Sequence, residues 1–326
     1  MRAIPLIAVA LALALVTPAS IASADSPPAF LLMWGTPGLG PEQFNEPNDV
    51  AVGPSGALYV VQLFNHRVQK FDANGAFITS WGSEGGADGE FSYPSGLCVD
   101  VYENVYVADN GNFRIQKFDG SGNFLAKWGA LGNGPGEFNT PFRIEYDGVG
   151  HVYVVDRGNR RIQKFTTEGA YVTQWGSPGS GPGQFDLPAG VAVDQAGDVY
   201  VADQFNYRVQ KFTSDGAYLT SWGIQGSGPG EFDQPAGLCA DNAGAIYVAD
   251  NQNHRVQKFT DAGVFLTQWG VQGTDPGQFN EPWDVAIGVG GDIFVADRLN
   301  YRIQKFRYEV TPARKVTWGR IKALYR

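Results

Sequence analysis

The sequence predicts an all-β fold, a six-bladed β-propeller of four-stranded antiparallel blades, and three observations carry the prediction. Arginines at 67, 114, 161, 208, 255 and 302 stand in six near-copies of one stretch, "NHRVQKF" at Asn65 through "NYRIQKF" at Asn300, and follow one another every 47 residues without a slip. Tryptophans at 34, 81, 128, 175, 222 and 269 keep the same step. Each period holds four short apolar runs separated by Gly, Asn and Asp, the pattern of an antiparallel meander.

In chain order, residues 1–24 combine Arg2, an apolar run to Val16 and the small-residue site Ala22-Ser23-Ala24, as in a cleaved secretory signal. The expected mature chain starts at Asp25 and is extracellular or periplasmic. No later stretch approaches the ~18 apolar residues of a membrane span. The blades are expected over 25–306, followed by a basic tail at 307–326.

The fourth repeat shows the unit. After a glycine-rich connection ending at Phe185 and Pro188 come "GVAVD", "DVYVAD", "YRVQKF" and "AYLTSW", with the turns "QAG", "QFN" and "TSDG" between them. One such sheet cannot bury both of its apolar faces, whereas radial neighbours bury them in turn. At the start, "AFLLMWG" (29–35) aligns with the fourth strand "GAFITSWG" (75–82), and the last repeat, ending at Phe306, lacks a fourth strand. The N-terminal strand is therefore expected to complete the last blade and remove the open edges. A rival, "KVTWGR" at 315–320, lies two residues out of phase.

The run P-x-G-V-A-V-D-x-x-G-x-V-Y-V-A-D-x-x-N-x-R-V-Q-K-F resembles the NHL repeat over nearly all of residues 29–306. The resemblance implies a propeller and leaves function open. Similar propellers are RNA- or protein-binding platforms in tripartite-motif proteins, extracellular sensor domains of bacterial kinases, and an amidating lyase.

Charge narrows the partners. Residues 25–306 hold 17 Lys and Arg against 32 Asp and Glu, a net charge of −15, which repels nucleic acid. A monomer with a protein, peptide or glycan partner is expected. The two cysteines, Cys98 and Cys239, lie three repeats apart, on the order of 20 Å across the ring from the sheet spacing. A disulfide needs Cα atoms within about 7 Å. Two free, buried thiols are expected where other repeats carry Ala51, Ala192 and Ala286.

Asp109, Asp156, Asp203, Asp250 and Asp297 precede the seven-residue stretch by three positions. A catalytic group is needed once, so a set repeated around the ring reads as structural, with Asn for a left-handed turn and Arg gripping the acid bidentately. Gln62 replaces the acid in the first repeat, so Arg67 is expected to be held less firmly.

Function is then sought where the repeats differ. After the proline that opens the first strand stand Asn48, Ser95, Ala189 and Ala236, but Phe142 and Trp283 in repeats three and six. At the next position Gly96, Gly190 and Gly237 give way to Asp49, Arg143 and Asp284. The third repeat adds Glu145, and Arg157 and Arg160 in a turn that opens on the same end. The candidate ligand-binding set is Phe142, Arg143, Glu145, Arg157, Arg160, Trp283, Asp284, Asn48 and Asp49. Arg143 and Glu145 share a strand face, as a self-neutralised pair or as a polar anchor at the channel mouth.

The amidating lyase holds zinc with histidines from different blades, and His66, His151 and His254 do not converge in this pattern. Lactonase-like propellers hold one metal with carboxylates and an asparagine, which Glu145, Asp49, Asp284 and Asn48 can mimic. A calcium- or zinc-dependent hydrolase or lyase is thus the alternative to a binding scaffold without cofactor. No catalytic residue is assigned.

Overall fold

A computed structural model describes residues 26–309. The expected signal sequence, most of the basic tail and the rival strand at 315–320 lie outside the described residues. Blade 1 runs Pro47–Val52, Leu58–Gln62, Arg67–Phe71 and Phe77–Trp81, and the order recurs through blade 5, which ends at Phe265–Trp269. The first strands of successive blades (Pro94–Val99, Pro141–Tyr146, Pro188–Val193, Pro235–Ala240, Pro282–Ile287) pack side by side in a closed ring around the axis.

Blade 6 takes three strands from the C-terminal end, the last of them Arg302–Arg307, and its fourth, Ala29–Trp34, from the N-terminal end. Phe30 pairs with Phe306 and Trp34 with Ile303. The closure expected from the phase of the repeat is the one formed.

Core residues lie between blades rather than within them. Tyr153, Val155 and Ile162 of blade 3 pack on Val191, Val199, Val201 and Phe212 of blade 4, and Val50, Leu58 and Phe71 of blade 1 pack on Ala286, Phe294 and Ile303 of blade 6. Each large side chain so buried contributes ~1.5–3 kcal/mol, so a blade is stable only with neighbours. The tryptophans tie adjacent rims together. Gly216 stands at φ +88, and a Cβ there would meet the Trp175 indole of the preceding blade at 2.5 Å.

The repeated seven residues fasten the glycine-rich connections. In blade 5, Arg255 donates from Nε to Asp250 (2.7 Å), from Nη1 to the Ser227 carbonyl (2.7 Å) and from Nη2 to the carbonyls of Gly228 and Glu231 (2.8 Å each). Asn253 joins Asp250 to the Gly226 carbonyl, and Gln257 joins it to that of Glu231. The lysine reaches onward: Lys70 donates to Gly120 O of the next blade at 2.8 Å, and Lys305 closes the ring on Ala73 O at the same distance. Two details differ from expectation. Arginine gives the acid only Nε, because its fork is taken by loop carbonyls, and the left-handed residue is the one after Asn, as in His254 (φ +53). In blade 1, Arg67 Nε lies 3.4 Å from Gln62 Oε1, a longer contact than the acid gives elsewhere.

Candidate functional site

The departures of the third repeat meet the axis at two levels. At the first, Arg143 is buried, only 3% exposed. Its Nη1 pairs with Asp49 of blade 1 and lies 3.6 Å from Asp284 of blade 6, while Nη2 donates to the carbonyls of Asn48 (2.7 Å) and Trp283 (3.0 Å). Asp49 also accepts from Leu97 N (2.8 Å) and Asp284 from Val50 N (3.1 Å). Glycine is required beside them: a Cβ on Gly237 would lie 1.9 Å from Asp284 Oδ1. The Asn48 amide donates to Ser95 O, and Ser95 Oγ to Phe142 O at 2.8 Å, linking blades 1, 2 and 3.

Arg143 therefore bolts blades 3, 1 and 6 together across the channel. It pairs with Asp49 and Asp284 rather than with Glu145, and it is not an anchor open to solvent. Burial lifts Asp284 well above the usual carboxylate range despite Arg143, and Asp49 adds to the lift.

Deeper in the channel is a chamber of about 140 Å³ whose wall includes Glu145, Cys98 and Cys239. Both thiols are free, Cys98 buried and Cys239 only partly so, and burial pushes both above the ordinary thiol range. Burial and then the Asp49 charge push Glu145 up to about 8, with Arg143 pulling the other way. A raised folded-state pKa favours folding fully below the unfolded value, near 4.5, and the benefit is lost as pH rises through about 8. The urea midpoint should fall from pH 5 to pH 9 by an amount worth ~2–3 kcal/mol, allowing for water in the channel. In Glu145→Gln that part of the slope should vanish.

The donor set does not fit a cation. Asp49 and Asp284 already serve Arg143 and backbone amides, and among the described residues no three His, Cys, Asp or Glu are placed to hold a metal ion. His66 and His254 use Nδ1 to accept the Tyr93 and Glu281 amides at 3.1 Å, and His151 pairs with Asp147.

The second level is the mouth. Phe142 and Trp283, from opposite blades, meet edge to face with centroids 6.3 Å apart. The Arg157 guanidinium covers Phe142 and that of Arg298 covers Trp283, each at 4.5 Å, so cation, ring, ring and cation form one row across the face. Arg157 donates to Gln204 Oε1 at 2.5 Å, and burial and then the charge of Arg143 lower its pKa to about 10. Arg160, at φ +52, pairs with Asp186 at 3.3 Å. Phe64 and Tyr93, both exposed, pack edge to face at 6.0 Å in the neighbouring blades. Arg298 was missing from the candidate set, although its column was legible: Leu63, Asn110, Arg157, Gln204, Asn251 and Arg298 recur every 47 residues.

The architecture defines the class of protein, a six-bladed β-propeller. Four of its repeats match the family model described as the NHL repeat, at residues 91–118, 185–212, 232–259 and 279–306. These segments lie in blades 2, 4, 5 and 6, whereas blade 1 carries Gln62 and blade 3 the arginine-rich departures. No curated protein matches the sequence. Among solved structures, the chain is similar to a streptogramin B lyase (14% identity, TM-score 0.57, covering 82% of this chain and 96% of that one). It is similar also to virginiamycin B lyase from Staphylococcus aureus (16%, 0.56, 82% and 86%) and to a gluconolactonase from Xanthomonas campestris (17%, 0.59, 89% and 99%). At such identities the likeness is one of fold.

Proposed function

We propose that this protein is an exported, non-enzymatic binding scaffold that engages a protein, peptide or glycan partner with the mouth of its channel. The observation that supports the reading is the row Arg157, Phe142, Trp283 and Arg298. Four departures from the repeat, from two opposite blades, assemble on one end, where aromatic and arginine side chains are the residue types that anchor interfaces. Among the described residues no helix is long and apolar enough to cross a membrane. The hydrolase alternative loses support at Asp49, whose two oxygens are engaged by Arg143 and the Leu97 amide, and at Asp284, whose Oδ2 serves Arg143 and the Val50 amide.

The test is affinity capture from the secreted fraction of the source cells, read by quantitative mass spectrometry. A partner should be retained by the wild type and depleted at least about tenfold on a folded Phe142→Ala/Trp283→Ala variant, in line with the loss of two interface anchors. Equal retention would remove the mouth as the site.

A further inference from the structure

The two halves of the row are related by three blades, yet they are not equally satisfied. In blade 6, Arg298 lies on Trp283 and gives Nε (2.8 Å) and Nη2 to one carboxylate oxygen of Glu46 in the following blade, with Glu281 of its own blade 3.7 Å from Nη1. In blade 3, Arg157 lies on Phe142 at the same 4.5 Å, but the positions matching Glu46 and Glu281 hold Leu187 and Thr140. Among the described residues its one side-chain acceptor is the neutral Gln204, and its Nη1 is buried without a hydrogen-bond partner, as is Nε of Arg160 three residues on. Asp186 is the nearby acid and is paired with Arg160, so two guanidiniums face one carboxylate. A buried donor left without an acceptor is costly, and more so on a cation.

We propose that Arg157 receives an acidic side chain of a protein or peptide partner, in the place that Glu46 and Glu281 take beside Arg298; the inference rests on the mouth being the binding face. An arginine stacked on a ring keeps the N–H edges in its own plane available for a carboxylate. The same stacking argues for a polypeptide over a glycan. A sugar that stacks needs an open aromatic face, and here one face of Phe142 and one of Trp283 are covered by guanidinium. Leu187 and Glu46 share the left-handed conformation, φ +50 and +52, so a glutamate at 187 fits the backbone that Glu46 already adopts.

The experiment is selection of random dodecapeptides displayed on phage against the protein, followed by binding of the enriched peptides in synthetic form. An acidic residue at one fixed position is expected, and exchanging it for its amide should weaken binding about tenfold or more, the worth of a charge-assisted hydrogen bond. Leu187→Glu, which supplies the carboxylate from within, should weaken the same peptide as much, while Leu187→Gln should change it less than about twofold. No enriched peptide, enrichment without a fixed acid, equal binding to Leu187→Glu, or binding of an oligogalacturonate in place of any peptide would each overturn the proposal. Peptides lost on Trp283→Ala but indifferent to Leu187→Glu would keep the mouth as the binding face and overturn only the role of Arg157. Peptides indifferent to both would overturn both.

Discussion

Arg143→Met should destabilise the ring by about 3–5 kcal/mol, the cost of leaving buried charge without its partner. The side chain holds two carboxyl groups and two carbonyls from blades 1 and 6, and methionine fills its volume without offering a donor. Because those blades are where the chain closes on itself, loss of the bolt acts on the seam of the ring. Urea unfolding measures the cost. Adding Asp49→Asn and Asp284→Asn to the variant should recover part of it, since amides leave no unpaired charge. A variant as stable as the wild type would mean that water or a rearranged Glu145 satisfies the two acids.

Asp250→Ala should cost a similar amount by a different route. Asp250 is fully buried and accepts from Asp233 N (2.8 Å), Asn253 (2.9 Å), Arg255 (2.7 Å) and Gln257 (3.0 Å). Removal strands a buried guanidinium and loosens the connection that enters blade 5, for about 3–5 kcal/mol. Asp250→Asn should cost less, roughly 1–2 kcal/mol, because blade 1 already folds with the neutral Gln62 at this position. Equal losses for the two variants would show that charge, rather than the acceptor oxygen, is what the network needs.

The fold was legible because the blades repeat one solution, with Gln62 in place of the acid in blade 1: Trp at the rim, Asp, Asn, Arg and Gln on the connection, and Lys reaching to the next blade. A step of 47 residues with no slip also fixes how many blades there are and which strand is missing. The site was legible only as columns. The sequence places Phe142 beside Arg143 and Arg157 at the same end, but Arg143 finds its partners 94 and 141 residues away. Whether such a side chain faces solvent or crosses the axis depends on how tightly six first strands close, a tertiary property set by Gly96, Gly190 and Gly237. Neighbouring departures thus part company, Arg143, Asp49, Asp284 and Asn48 into the frame and Phe142, Arg157 and Trp283 onto the face. Arg298 was missed because its acids, Glu46 and Glu281, lie 252 and 17 residues away and only the folded ring brings them to it.

Frame and face are separable, and urea unfolding of the Phe142→Ala/Trp283→Ala variant tests that most directly. These half-buried rings lie over the bolt without holding it, so the expected result is a stability within about 1–2 kcal/mol of the wild type, alongside lost partner binding. A fall as large as that of Arg143→Met would contradict it, making the row part of what closes the ring and leaving the mouth without a surface reserved for recognition.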